Sequence, residues 1–297
     1  MARLFKLFAL LPLGALRGMG SLLGLAVLAF SSRTRRMVAT NIAQAQKGAI
    51  RRGLELPSNL GWHAALRSGW LVTELPAIWC RPDRWKDLMI DGGDQMSDLL
   101  SRRKGLIVLT PHLGAFELAP RLIARHHPLS IMYRPARHAS MEVLLQAFRP
   151  STKIQMVPAR ASGIRHFLRT LKSGGVVGLL PDQVPVAGEG VWAPFFDAPA
   201  YTMTLPLRLA QKTGAPLAWV VVRRVPSGWA MSVRQWTLPF ELDALQSPED
   251  WAMAAQCMNQ DIEQLILSAP EDYLWTYNRY RQPRSELVEP AEATVAE

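Results

Sequence analysis

His112 and Glu117 are the two residues of this chain whose types and spacing could perform acid–base chemistry. They follow a short apolar run, residues 105–109, which predicts a buried strand, and precede an apolar-periodic stretch, residues 118–124, which predicts a helix. On one continuous helix, residues five apart would point about 140° away from each other. The pair can therefore meet only if His112 lies in the turn and Glu117 in the first helical turn, which Pro120 supports. A carboxylate beside an imidazole would fix its tautomer and strengthen its other nitrogen as a base.

The spacing of His112 and Glu117 also has a purely structural interpretation. A histidine at the entry to a helix, followed by a glutamate in the first turn, is what the helix dipole favours, since negative charge is stabilised at a helix N-terminus. The spacing alone leaves both interpretations open, and the rest of the chain has to decide between them.

The composition indicates a globular protein that suits negatively charged partners. The chain has 297 residues, of which 49% are hydrophobic and 20% charged, and its formal net charge is +10. Such a charge suits anionic lipid, a phosphorylated glycolipid, nucleic acid or an acidic protein. Because no recognition helix, zinc-ligand spacing or RNA-binding motif is visible, we expect no nucleic-acid partner. Cys80 and Cys257 lie far apart without a CxxC motif, which argues against a metal site or a disulfide framework.

Short apolar runs alternate with helical periodicity along most of the chain. Strands are predicted at 105–109, 129–133, 153–157, 176–180, 217–222 and 229–238. Helices are predicted at 59–80, 118–124, 140–148, 162–172, 203–213 and 250–267. This alternation predicts an α/β fold with a central mixed, partly parallel sheet flanked by helices. We expect three regions: an N-terminal membrane-anchoring segment (1–36), one folded domain (37–284) and a disordered tail (285–297).

The N-terminal segment combines an apolar stretch with flanking basic residues. Residues 7–30 contain one charged residue, Arg17, and an arginine cluster follows at 33–36. The stretch could be a cleaved signal peptide, or a transmembrane helix long enough for a ~30 Å hydrocarbon core. Arg17 would then cost roughly 2.5–3.5 kcal/mol at the bilayer centre unless it snorkelled or paired with another group. A helical hairpin lying in the interface, broken near residues 18–20, would avoid this penalty. The segment predicts membrane attachment, and the basic cluster after it predicts a cytoplasmic domain.

Five sequence blocks, in this order, resemble the motifs of the bacterial lipid A biosynthesis acyltransferases, a family within the lysophospholipid acyltransferase superfamily. The blocks are His112…Glu117, similar to the HxxxxD/E signature; Tyr133-Arg134-Pro135; residues 174–177 with Pro181-Asp182-Gln183; residues 195–202 with 213–216; and residues 270–275 with Arg279 and Arg281. The ordered set covers most of the chain. It is far more specific than the histidine and glutamate alone.

This resemblance implies a catalytic mechanism and assigns roles to several residues. It implies that His112 is the general base, which deprotonates an acceptor hydroxyl so that the oxygen attacks an acyl thioester, and that Glu117 orients the imidazole. Charge that develops on the thioester oxygen needs hydrogen-bond donors, which backbone N–H groups near Gly114 or an arginine could supply. Arg134 and Arg149 are the candidate arginines, and either could instead bind a phosphate of the acceptor.

Two further features of the sequence are candidates for binding. Asp182 follows a predicted strand, where it either contributes to a site at the carboxyl edge of the sheet or caps the next turn. Arg165, Arg169 and Lys172 share one stripe of a predicted helix. The stripe is either a solvated face or a docking surface for an acidic acyl carrier protein.

The resemblance thus implies an O-acyltransferase at the bacterial inner membrane, with its catalytic domain (37–284) on the cytoplasmic side. It would transfer a fatty acyl chain from acyl carrier protein to a hydroxyl of a lipid A precursor, in lipopolysaccharide biosynthesis, with membrane lipid as a further partner. No metal or organic cofactor is implied. The alternatives are a related acyltransferase acting on a lysophospholipid, aminolipid or other glycolipid, with acyl carrier protein or coenzyme A as carrier, and a catalytically inactive lipid-binding membrane adaptor.

Overall fold

The protein folds around a seven-stranded sheet that is mostly parallel. The computed structural model describes residues 2–133 and 153–284. The strands of this sheet are β1 (Ile90–Asp91), β2 (Leu106–Leu109), β3 (Leu129–Tyr133), β4 (Ile154–Pro158), β5 (Val176–Leu179), β8 (Leu217–Val225) and β9 (Gly228–Trp236). Their order is β1-β9-β8-β2-β5-β3-β4, and only the β8–β9 pair is antiparallel. The predicted α/β class with a mixed, partly parallel sheet is confirmed.

Helices cover both faces of the sheet. The α-helices of the described ranges are α1 (Ala2–Phe8), α2 (Leu13–Phe30), α3 (Ser32–Ile50), α4 (Leu60–Thr73), α5 (Leu75–Cys80), α6 (Gly93–Ser101), α7 (Ala119–His126), α8 (Ala161–Lys172), α9 (Leu205–Thr213) and α10 (Pro248–Leu267). The helix predicted at 140–148 and the tail predicted to be disordered lie outside the described residues.

The unbroken apolar run of strand β2 is explained by burial of the strand on both faces. All four of its residues are buried, and they alternate between two hydrophobic clusters. Ile107 and Leu109 belong to the cluster that includes residues of α3, α8, α9 and α10, whereas Leu106 and Val108 belong to the cluster that includes residues of α6 and α7. A strand covered on both faces needs apolar side chains at every position, which is the expected pattern for a parallel sheet.

The N-terminal segment is helical, but it is interrupted at a different place from the one predicted. Helix α2 runs through residues 18–20 without a break, and the chain turns instead between α1 and α2, where Pro12 precedes the first residue of α2. Helix α2 is the one helix of the described residues that is long and apolar enough to cross a membrane, judged by length and composition alone.

Two other elements differ from the sequence prediction. The segment 59–80, which was predicted to be one helix, forms two helices, α4 and α5, which meet at Glu74. Pro76 lies in the first turn of α5, where proline is tolerated. A small antiparallel sheet of β6 (Gly190–Phe195) and β7 (Ala198–Met203) was not predicted. Its two-residue turn, Phe196-Asp197, has positive φ at both positions, as in the tight turns that favour hairpin twist.

Candidate active site

His112 lies in the loop that leaves the carboxyl end of β2, and its backbone is fixed from two sides. Leu274 N–H donates to the carbonyl of His112 at 3.1 Å, and Ala115 N–H donates to the carbonyl of Val222 at 2.8 Å. Gly114 has φ +64°, and a Cβ there would lie 2.1 Å from the oxygen of Val222, so only glycine fits. The loop is therefore held by Val222 of β8 and by the segment around Leu274.

Asp182 is the carboxylate that pairs with His112. Its Oδ1 lies 2.8 Å from the ring Nδ1, and its Oδ2 accepts the backbone N–H of His112 at 2.9 Å. Sheet register explains the meeting, because β2 and β5 are parallel neighbours in which Leu109 is paired with Leu179. His112 and Asp182 each follow by three residues, so both side chains emerge at the same carboxyl edge.

The pairing with Asp182 determines which nitrogen of the His112 ring can act as a base. A carboxylate accepts a hydrogen bond, so Nδ1 carries the proton in the neutral ring and Nε2 presents its lone pair. The side-chain nitrogen of Gln183 lies 3.0 Å from that Nε2, in position to donate to it. The ring also contacts Phe116 edge-on, with 4.8 Å between ring centroids. The imidazole is thus held in one orientation and one tautomer.

The electrostatic environment keeps Asp182 ionised. The side chain is buried, and burial by itself would raise the pKa of its carboxyl group. The charge of His112 and the hydrogen bonds from its ring and backbone outweigh burial, so the pKa of Asp182 is below its ordinary value. Burial first, and then the negative charge of Asp182, raises the pKa of Tyr273 well above its usual value, so this phenol stays neutral. Asp182 is therefore a permanent negative charge beside the imidazole at neutral pH.

Glu117 lies at the entry to the helical segment after His112, as the sequence predicted. It lies in the 3₁₀ turn Phe116–Leu118, just before α7, and it is partly exposed. The carboxylate bonded to Nδ1 of His112 is that of Asp182. A catalytic role for Glu117 remains a prediction.

The other predicted substrate-binding residues have different outcomes. The N–H of Gly114 itself donates to the carbonyl of Asp272 at 3.0 Å, and a role for backbone N–H groups near Gly114 in binding the thioester oxygen stays a prediction. Arg134 and Arg149 lie outside the described residues. Asp182, for which the sequence left a site role and a capping role open, faces His112 at the carboxyl edge.

The predicted basic stripe is present on one exposed helix face. Arg165, Arg169 and Lys172 all lie on α8, and all three are exposed. The opposite face of α8 is buried through Phe167 and Leu171, which pack in the core. The stripe is therefore available to a partner.

Gln183 is the residue near the base that sequence reasoning missed as a functional candidate. A signal existed, since it directly follows Asp182 after a predicted strand. An amide side chain alone does not reveal which group it faces, and here it faces His112, which lies 71 residues earlier in the sequence.

A cavity in the described part of the chain lies away from this site. It has a volume of about 590 Å³ and opens between the amino ends of β3, β4 and β5, where His127, Lys153 and Thr170 contribute polar groups. His112 lies at the opposite, carboxyl edge of the same sheet.

Comparison with known proteins agrees with the motifs. The family profile described as bacterial lipid A biosynthesis acyltransferase matches residues 66–282. Over 162 residues, which are 53% of this chain and 52% of the relative, the chain is 26% identical to the lipid A biosynthesis lauroyltransferase of Escherichia coli strain K12. Over 132 residues, 43% of this chain and 42% of each relative, it is 27% identical to the palmitoleoyltransferase of the same organism and to a lipid A biosynthesis acyltransferase of Shigella flexneri.

The matches to these relatives span about half of their length or less. The family profile spans most of this chain, and it includes His112, Asp182 and Gln183 together with the strands that bring them to one edge of the sheet. As its ordered motifs predicted, the chain belongs to the bacterial lipid A biosynthesis acyltransferase family.

Proposed function

We propose that this protein transfers a fatty acyl chain from the thioester of acyl carrier protein to a hydroxyl group of a lipid A precursor. The observation that carries the proposal is the His112–Asp182 pair, with 2.8 Å between Nδ1 and Oδ1, at the carboxyl edge of the sheet in a member of this family. An oriented imidazole beside a buried carboxylate is the arrangement required to activate a hydroxyl, which is a poor nucleophile at neutral pH.

In the proposed reaction, Nε2 of His112 accepts the proton of the acceptor hydroxyl while its oxygen attacks the thioester carbon. Collapse of the tetrahedral intermediate breaks the carbon–sulfur bond. The imidazolium then returns the proton to the departing thiolate of the carrier, so atoms and charges balance. Asp182 stabilises the imidazolium that forms transiently, because its carboxylate stays ionised next to Nδ1.

Gln183 has a defined part in this scheme. Its amide nitrogen lies 3.0 Å from Nε2, at the place that the acceptor hydroxyl has to occupy. The hydroxyl therefore displaces the amide when it binds, and the released N–H becomes available to the thioester oxygen as charge develops there. Arg134 and Arg149 stay candidates for the same task or for binding an acceptor phosphate.

The exposed apolar side chains support attachment to a membrane. They concentrate on the N-terminal helices and on α4: Leu4, Leu7, Leu10, Met19, Leu22, Leu23, Val27, Phe30, Trp62 and Val72. An exposed apolar surface of this kind, next to the arginine cluster at 33–36, suits an anionic membrane surface. We place the protein at the bacterial inner membrane, with the catalytic domain on the cytoplasmic side.

The packing of α2 favours a helix that lies in the interface over one that spans the bilayer. Residues 16–24 of α2 include its buried positions, and Gly20 and Gly24 face α4. The six residues of α2 that lie beyond Gly24, and so beyond the last buried position of the helix, span only about 9 Å at 1.5 Å per residue. This free length is far shorter than a hydrocarbon core of ~30 Å.

Mass spectrometry of lipid A, with and without the protein, tests the proposed function. We expect loss of the gene to remove one acyl chain from lipid A, and purified protein to acylate the precursor with acyl carrier protein thioesters. Side-by-side assays with lysophospholipid, aminolipid and other glycolipid acceptors, and with coenzyme A thioesters, distinguish the related acyltransferases. Unchanged lipid A together with turnover on glycerophospholipid alone would contradict the proposal, and no turnover with any thioester would favour an inactive lipid-binding adaptor.

Charge reversal of the α8 stripe tests the proposed carrier. We expect replacement of Arg165, Arg169 and Lys172 by glutamate to raise the apparent KM for acyl carrier protein by about tenfold or more at low salt. The dependence of KM on salt should weaken, because steered association falls with ionic strength and the variant lacks the steering charges. Initial rates measured over a range of salt concentrations give both quantities.

A matched control is reversal of three exposed basic residues elsewhere, Lys86, Arg51 and Arg234, which changes the net charge equally. If both triple variants raise KM equally, only net charge matters. If the α8 variant behaves as wild type at low salt, the stripe is a solvated face.

A further inference from the structure

Arg17, the charged residue of the apolar helix α2, is buried inside the protein. It is 9% exposed. Its Nε donates to Glu74 at 2.8 Å, and its two terminal nitrogens donate to the carbonyls of Val225 and Gly228 at 2.7 and 2.6 Å. The guanidinium also lies over the ring of Trp70, 5.1 Å from the centroid. The arginine is thus fully bound by protein groups.

Arg17 is positioned by the close packing of helices α2 and α4 at their glycines. A Cβ on Gly20 would lie 2.4 Å from the hydroxyl oxygen of Thr73, and a Cβ on Gly69 would lie 1.8 Å from the carbonyl oxygen of Gly20. A Cβ on Gly24 would lie 1.9 Å from the carbonyl oxygen of Ala65. Helices α2 and α4 approach so closely that only one antiparallel register fits, and in it Arg17 meets the end of α4.

A chain of buried charges continues from Glu74 towards the active site. Its second oxygen accepts from Nε of Arg224 at 2.8 Å, and a terminal nitrogen of Arg224 donates to Asp272 at 3.0 Å. The other oxygen of Asp272 accepts from Arg67 at 3.0 Å. Glu74 is fully buried, and Arg224 and Asp272 are nearly so. Each carboxylate is held by two guanidinium groups, so the loss of one cation leaves a buried anion half-compensated.

Asp272 belongs to the segment that holds the His112 loop. Its carbonyl accepts the N–H of Gly114 at 3.0 Å, and Leu274 N–H donates to the carbonyl of His112 at 3.1 Å. Leu113 and Tyr273 are paired as an antiparallel bridge between these two bonds. The charge chain that begins at Arg17 therefore ends on the backbone that positions the proposed base.

We propose that Arg17 is a positioning residue, which couples the docking of helix α2 to the geometry of the loop that carries His112. When α2 is docked, Arg17 compensates Glu74, and Arg224 stays on Asp272. When Arg17 is absent or α2 moves away, Arg224 is drawn towards the uncompensated Glu74, and the 272–274 segment loses a constraint. The consequence for catalysis rests on the proposed function, whereas the consequence for the loop does not.

The test compares full-length Arg17→Met with the double variant Arg17→Met/Glu74→Gln. Amide hydrogen exchange is followed at Gly114 and Leu274, with the Leu129 amide, bonded to the carbonyl of Lys153, as an internal reference. In Arg17→Met we expect exchange at Gly114 and Leu274 to become at least ~10-fold faster relative to Leu129. In the double variant most of the protection should return, because no buried carboxylate is left without its cation.

Turnover and a control complete the experiment. With the acyl thioester donor and lipid A precursor, kcat should fall at least ~10-fold in Arg17→Met with little change in KM, and recover in the double variant. Lys47→Met removes an exposed positive charge from helix α3, which follows α2, and should leave both readouts unchanged. Arg17→Lys, which retains the charge, should be intermediate and serves if Arg17→Met fails to fold.

Three results would overturn the coupling. One is a lower Tm with wild-type exchange at Gly114 and Leu274, which would make Arg17 a structural anchor only. Another is faster exchange at all three amides alike, which is global destabilisation. The third is a double variant no better than Arg17→Met. If the loop loosens as expected but the wild-type protein transfers no acyl group, the proposed function fails while the coupling stands.

Discussion

Replacing His112 by alanine is expected to lower turnover at least ~100-fold, the lower end of what a positioned general base contributes. The expectation follows from a ring that is fixed at Nδ1 by Asp182 and presents Nε2 at the carboxyl edge of the sheet. His126 and His127 cannot take over, because they lie just before β3, at the opposite edge of the sheet. Single-turnover rates with a saturating thioester donor measure the loss directly.

His126→Ala, at the exposed end of α7, is the matched control and should keep wild-type turnover. A folded His112→Ala protein with near-normal turnover would refute the assignment of the base.

Replacing Asp182 by asparagine is expected to lower turnover on the order of 100-fold while preserving the size of the side chain. Asparagine carries no charge to stabilise the imidazolium, and its amide can present a donor to Nδ1, which would favour the wrong tautomer. Glu117→Gln should have the smaller effect if Asp182 alone orients the ring. The two variants, measured side by side, decide which carboxylate is paired with the base in the working enzyme.

The losses of turnover caused by replacing His112 and Asp182 should be strongly non-additive. Once His112 is alanine, a further Asp182→Asn change has little left to remove. Additive losses would mean that the two residues act independently, and a larger loss in Glu117→Gln than in Asp182→Asn would return the orienting role to Glu117.

Asp182 also predicts how stability depends on pH. Its pKa in the folded protein lies below the ordinary value. The contribution of ionised Asp182 to the free energy of unfolding is therefore complete above its unfolded-state pKa, about 4. It is lost as pH falls through its folded-state pKa. In Asp182→Asn, this acid-dependent part of the unfolding free energy should be missing, so the curves of wild type and variant should converge in acid. Urea unfolding measured from pH 7 down to pH 3 tests this.

The sequence located the ends of β2 and β5 correctly but could not pair them. Apolar runs bounded by polar residues revealed both strands, and Asp182 was noted because it follows one of them. Nothing local shows that β5 lies beside β2, since β3 and β4 intervene in the chain. Glu117 was predicted as a partner of His112 because it is near in sequence, whereas the Asp182 carboxylate, which is bonded to Nδ1, lies 70 residues away and could not be paired with His112 from the sequence.

The position of Arg17 could not be predicted for the same reason. Its bonding partners lie 57 residues away on Glu74 and 211 residues away on Gly228. The sequence indicates that Arg17 needs water or a pairing group, but it does not show that the partner is Glu74. The glycines at 20, 24 and 69 were a usable signal of close helix packing, but they do not say which helix is the partner.

The hydrogen bond from the Gln183 amide to Nε2 of His112 bears on whether water can hydrolyse the proposed thioester donor. A base that is ready to activate a sugar-linked or acyl-linked hydroxyl is equally able to activate water, and water attacking a loaded carrier would destroy the donor without product. While Gln183 donates to Nε2, a solvent molecule has to displace a hydrogen bond that the protein itself provides. In the proposed reaction, we expect that only an acceptor that also binds through the rest of its large surface displaces this bond readily, so that the acyl chain goes to lipid rather than to water.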